Sequence, residues 1–149
     1  MSSTELVCLE LSVLLFVAHV VCQAIVAQGE FGQPFLFSPR DNPPEPKGLV
    51  VGRATRALAN FVENYGAFVA MDLALIATGH TGGWGAVVWI VARIVYLPLY
   101  LLGIPVVRTL FWTISMVGLL MMLARLAGPI WRGRRTTAAT AMELALPGH

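Results

Sequence analysis

Arg53, Arg56, Asn60 and Glu63 follow one another at intervals of three, four and three residues. At 100° per residue of helix, that spacing gathers them within an arc of roughly 80°. Two guanidinium groups, an amide and a carboxylate then share one face. The guanidinium groups can fork carboxylates, the amide can bond an amide, and the carboxylate can take an ammonium group. Farther along, Arg93, Tyr96 and Tyr100 fall within about 60° of one another by the same rule. Arg108 comes eight residues after Tyr100. Such a set suits a small molecule with several carboxylates and an ammonium group, and the tyrosine hydroxyls can donate to a carboxylate or a thiolate.

The element that positions the first four is built like a membrane helix. Ala, Leu, Phe, Val and Ile fill the positions between and beyond them as far as Thr78. A charge near the bilayer centre costs on the order of 2.5–3.5 kcal/mol, so the stripe must face protein, a water-filled cleft or a polar ligand. It cannot neutralise itself. Arg56 and Glu63 are about 10.5 Å apart along the axis at the helical rise per residue, beyond the reach of a one-turn pair, and Arg53 and Arg56 repel each other. Asp72 projects roughly 100° away from Arg53 and off the stripe. Spacing alone leaves two readings open: a bound polar ligand, or a structural polar network that glues helices together.

Composition places these elements in a membrane. Of 149 residues, 57% are hydrophobic and 12% are charged, the latter about half the share usual in soluble domains. Four apolar segments, 6–27, 49–78, 84–106 and 108–130, each exceed the roughly 20 residues that cross a bilayer core. The expected fold is all-α, an integral membrane four-helix bundle over residues 1–131, with a basic and then mixed tail over 132–149. Pro34, Pro39, Pro43, Pro44 and Pro46 predict an extended loop without helix over 28–48. Gly79-His-Thr-Gly-Gly83 and Gly103-Ile-Pro105 predict tight turns, and Pro98 a kink in the third helix. Trp84, Trp89, Trp112 and Trp131 fall mostly near helix ends, as interfacial anchors do, with Trp131-Arg-Gly-Arg-Arg135 closing the last helix before a mobile tail. Lys and Arg counts on the two sides nearly tie, which leaves orientation undetermined.

Other function classes are excluded. The net charge of +2 is too small and scattered for nucleic acid. Cys8 and Cys22 lie too far apart on one helix for a disulfide and read as small buried hydrophobes. His19 has no second ligand at helical spacing, so no metal is expected; it reads as a buried, hydrogen-bonded group. Glu5 and Glu10 interrupt the first segment, and no basic residues precede it, unlike a signal peptide.

The run Arg53-x-x-Arg56-Ala-x-x-x-Asn60-x-x-Glu63-Asn64 with Phe68 resembles the signature of the membrane-associated proteins in eicosanoid and glutathione metabolism (MAPEG). So do Ala92-Arg93-Ile-Val-Tyr96-Leu-Pro-Leu-Tyr100, Gly103-Ile-Pro105 with Arg108, and Ser38-Pro39-Arg40-Asp41, which are similar to the small bacterial members. The resemblance spans roughly residues 5–125. It implies a homotrimer of four-helix protomers in the bacterial inner membrane, with glutathione as co-substrate in clefts between protomers. Arg40, Arg53, Arg56, Asn60, Glu63, Arg93, Tyr96 and Tyr100 would then hold the tripeptide, and Arg108 would activate its thiol. The partner would be an apolar electrophile or a lipid hydroperoxide. Gly66 stands where the family often has proline, and the step from Tyr100 to Arg108 is one residue longer than in leukotriene C4 synthase. The alternative is a non-catalytic membrane protein whose stripe holds the trimer or binds another small anion.

Overall fold

The computed structural model describes residues 3–39, 41, 45 and 47–144, with side chains for 4–35, 37–39, 41, 45 and 47–128. Four helices account for almost all of it: α1 Ser3–Leu36, α2 Leu49–Ala77, α3 Gly85–Leu102 and α4 Pro105–Leu144. On α1, Glu5, Cys8, Ser12, Leu15 and His19 recur at alternating intervals of three and four and are all buried. On α3, Ala86, Trp89, Arg93, Tyr96 and Tyr100 do the same. This is the spacing of a helix that packs along one narrow seam. The α2 and α3 helices each pack against all three others, and the α1 and α4 backbones do not approach each other among the described residues.

The core is aromatic. Phe61, Phe68 and Leu75 run down the buried face of α2 at seven-residue intervals. Phe68 stacks on Trp89 of α3 with ring centroids 4.0 Å apart, and Cys8, Leu15 and Met122 close the cluster from α1 and α4. A smaller cluster joins Ala57 of α2 to Tyr96 and Tyr100 of α3. Ala57 is fully buried, and its single methyl lets both rings lie close to the α2 backbone.

Three helices, over Thr4–Phe35, Gly85–Leu102 and Pro105–Gly128, are long and apolar enough to cross a membrane. The fourth span expected from the sequence, α2, is more polar than these three. With 29 residues it has the length, about 43 Å at the helical rise, but Arg53, Arg56, Glu63 and Asp72 dilute its apolar character.

Helix limits also differ from expectation. The first helix continues past residue 27 to Leu36, although Pro34 was expected to forbid helix. The path breaks instead at Gly32, with φ 74° and ψ 170°, and Pro34 falls in the first turn of the segment that follows. A missing N–H costs nothing there. The third helix stops at Leu102 because Gly103 takes a left-handed conformation and donates its N–H to Leu99 and Tyr100 carbonyls, a glycine C-cap. Pro105 then opens α4 three residues earlier than expected, again at a helix start that suits proline. Through Pro98, α3 runs on to Leu102. The fourth helix reaches Leu144, through the stretch expected to be a mobile tail. Its Ala, Met, Glu and Leu residues favour helix, and after Pro129, which α4 includes, no proline follows until Pro147.

Two carboxylates fasten the ends of the bundle. Glu30 of α1 accepts hydrogen bonds from Lys47 N–H and, at 2.8 Å, Gly48 N–H. It thereby caps α2 from another helix, where the positive end of the dipole favours a carboxylate. At the opposite face, buried Glu5 accepts the Gly82 N–H at 2.9 Å and ties the start of α1 to the turn between α2 and α3.

Candidate functional site

At 100° per residue, taking Arg53 as zero, the buried α2 residues Ala54, Ala57, Phe61, Phe68 and Leu75 lie at roughly 40–100°. Asn60 and Arg53 border that face at roughly 340° and 0°, whereas Arg56 and Glu63 sit at roughly 300° and 280°. The polar stripe is therefore split by packing. Asn60 and Arg53 are half-buried between helices, and Arg56 and Glu63 are exposed on the outside.

Arg53 is occupied within the protein. Its Nη1 donates to the Leu101 carbonyl at 3.1 Å, and the guanidinium lies flat against Gly103, where a Cβ would come within 2.4 Å of Cζ. A cation at the C-terminal end of α3 complements its dipole and ties α2 to the turn that positions α4. Arg56 folds back along its own helix over Gly52. Arg40 lies outside the described residues.

Asn60, Tyr96, Tyr100 and Arg108 converge on a cleft of about 260 Å³ between α2, α3 and α4. Arg93, fully buried behind it, donates through Nη1 to Asn60 Oδ1 at 2.8 Å. Because guanidinium groups only donate, Asn60 must turn its oxygen inward, which leaves its NH₂ to face the cleft. The Arg93 guanidinium also sits 5.3 Å from the Tyr96 ring centroid. The two tyrosine rings meet edge to face at 5.4 Å, and Arg108 Cζ lies 4.5 Å from the centroid of the Tyr100 ring, a cation–π contact. Arg108 stands in the first turn of α4, where its own N–H bonds the Ile104 carbonyl. The positive end of the α4 dipole thus adds to the Arg108 charge at the cleft mouth.

Thr109 and Trp112 complete the lining and were missed by the sequence reading. Trp112 lies one helical turn after Arg108, so the i, i+4 rule could have placed it on the same face. Thr109 carried no such signal, and its hydroxyl is used in a bond to the Pro105 carbonyl at 2.9 Å. The structure thus brings together Asn60, Arg93, Tyr96, Tyr100 and Arg108. It leaves Arg53, Arg56 and Glu63 outside this cleft. The assembled chemistry is an amide donor, two phenols and a cation at a helix N-terminus, a set fit to hold an anion.

The sequence model of the MAPEG family matches residues 8–128. No curated protein and no solved structure matches the chain. With most of its length covered, the chain belongs to the MAPEG family, which includes glutathione transferases and related membrane proteins.

Proposed function

We propose that this MAPEG-family chain is a membrane enzyme that uses glutathione, conjugating it to apolar electrophiles or reducing lipid hydroperoxides with it. The observation that carries this reading is the convergence of Asn60, Tyr96, Tyr100 and Arg108 on one cleft at the start of α4. Glutathione carries two carboxylates, an ammonium group and a thiol. The Asn60 NH₂ suits a peptide carbonyl or carboxylate, and a tyrosine hydroxyl suits a carboxylate or the sulfur. A free thiol, with a pKa of roughly 8.5, is mostly protonated at neutral pH, and the thiolate is the nucleophile. Arg108, with the α4 dipole behind it, would stabilise the thiolate as the proton leaves to solvent. In conjugation the sulfur then forms a bond to the electrophilic carbon and the leaving group departs. In the peroxidase reaction, two glutathione molecules are oxidised to the disulfide while the hydroperoxide is reduced to an alcohol and water.

The exposed half of the stripe supports a homotrimer. Arg56 and Glu63 emerge on the surface of a helix otherwise rich in Ala, Val and Phe, and lipid would penalise both charges. A neighbouring protomer, with ligand held between the two, would give them polar partners: Glu63 for the ammonium group and Arg56 for a carboxylate. Cross-linking in mild detergent should trap dimers and trimers; a protein that stays monomeric over a wide concentration range defeats the trimer.

A non-catalytic reading draws on Arg53 and Arg93, which already serve as internal ties to Leu101 and Asn60. Ligand-induced stabilisation separates the two. Glutathione at ten times its dissociation constant should stabilise the folded protein by about 1.4 kcal/mol through mass action and raise the melting temperature. An unchanged melting temperature across millimolar glutathione, with the protein well folded, favours the structural role.

A further inference from the structure

Behind the cleft, three buried side chains from α1 and α3 present polar atoms with no protein partner among the described residues. These are His19 Nε2, Trp89 Nε1, and Arg93 Nε and Nη2. Arg93 and Trp89 are fully buried and His19 is 1% exposed. The rings that carry them are in register. His19 lies 4.3 Å from Phe61, Phe61 lies 5.7 Å from Trp89, and Arg93 Cζ lies 5.5 Å from the Trp89 ring.

The polarity of this cluster is specific. His19 Nδ1 faces the Leu15 carbonyl at 2.8 Å. A carbonyl only accepts, so the ring N–H is held at Nδ1 and Nε2 of the neutral ring is an acceptor. Arg93 and Trp89 offer only donors. Such atoms stranded in an apolar interior are costly, and one acceptor with several donors in one contiguous cluster is the inventory that a single water satisfies. It can accept from Arg93 and Trp89 and donate to His19, the usual three bonds of a buried water.

We propose that His19 is a positioning residue for the cleft, holding Arg93 through a buried bridging water so that Arg93 keeps the Asn60 amide turned toward the ligand. The first helix, which contributes no side chain to the cleft lining, thereby acts on it through two residues in series. A bare water link without His19 would leave the Arg93 fork free to rotate off Asn60, and Asn60 free to offer the ligand either end of its amide.

The binding arm of the test rests on the glutathione reading, and the structural arm does not. His19→Leu keeps the bulk against Phe61 and removes the acceptor; His19→Gln restores one at similar reach. In the full-length protein in detergent, glutathione affinity by calorimetry should fall roughly 3- to 10-fold in His19→Leu, the scale of one hydrogen bond, and recover to within about twofold in His19→Gln. On an Asn60→Ala background, His19→Leu should add less than about a twofold loss, since coupled residues are not additive. An equal loss on both backgrounds overturns the proposal. An experimental density map of the wild-type protein decides it even if glutathione does not bind at all. A water bonded to both His19 Nε2 and Arg93 supports the link, and an Arg93 paired directly with a carboxylate, or a dry contact to His19, overturns it.

Discussion

Arg108→Ala should lower turnover by a factor of about 10² or more at saturating glutathione, the scale of losing one preorganised electrostatic stabiliser. Glutathione affinity should change far less. The asymmetry follows from where the charge develops. Arg108 lines the cleft in the first turn of α4, with its guanidinium over the Tyr100 ring, so in the function proposed it would bear on the sulfur as the proton leaves. In the function proposed, the peptide would be held elsewhere, by Asn60 and, in a trimer, by Arg56 and Glu63. Those residues should show the reverse pattern, with weaker binding and little loss of turnover once the site is filled. Equal rates for wild type and Arg108→Ala under saturation would remove Arg108 from the chemistry and direct attention to Tyr96 and Tyr100.

Gly118→Val should lower the melting temperature by on the order of 5–10 °C, from an overpacking cost of about 2–3 kcal/mol, or prevent assembly of the bundle. The α3 and α4 backbones are in contact at this point. A Cβ on Gly118 would meet the Gly85 carbonyl oxygen at 2.8 Å and the Trp89 nitrogen at 2.9 Å, and a Cβ on Gly85 would meet the Gly118 carbonyl at 2.8 Å. Backbone atoms cannot swing aside as a flexible side chain can, so the helices themselves must separate. Separation would pull α4, and with it Arg108, off the wall of α3. Close approach at small residues is a common way for membrane helices to associate, because apolar burial against lipid provides little drive. Gly66, with nothing within 4 Å of a built Cβ, is the matched control. Similar melting temperatures for Gly118→Val and Gly66→Val would show that the α3–α4 contact is not limiting.

Much of the fold was legible because its signals are local. Hydropathy located four helices and glycines marked both tight turns. The 3.6-residue period placed Asn60 with Arg53 and Tyr96 with Tyr100 on shared faces. Boundaries were less legible where a residue's meaning depended on its position within an element. Pro34 reads as a helix breaker until Gly32 is seen to restart the helix just before it, and Pro105 becomes a helix start only because Gly103 has ended α3.

The sequence by itself determined that polar side chains line one stripe of α2 and one of α3, since covalent geometry and helical pitch fix angles within an element. It could not determine which half of the α2 stripe turns inward. That was decided by tertiary packing, where Phe61, Phe68 and Leu75 claim the core and rotate Arg56 and Glu63 to the surface while Asn60 stays at the edge. Arg53 met the Leu101 carbonyl, Arg93 met Asn60, and Thr109 and Trp112 joined the cleft for the same reason. Contacts between helices depend on rotation and separation about axes that no residue spacing encodes, and these are set by the large side chains and the bare glycines where the helices touch.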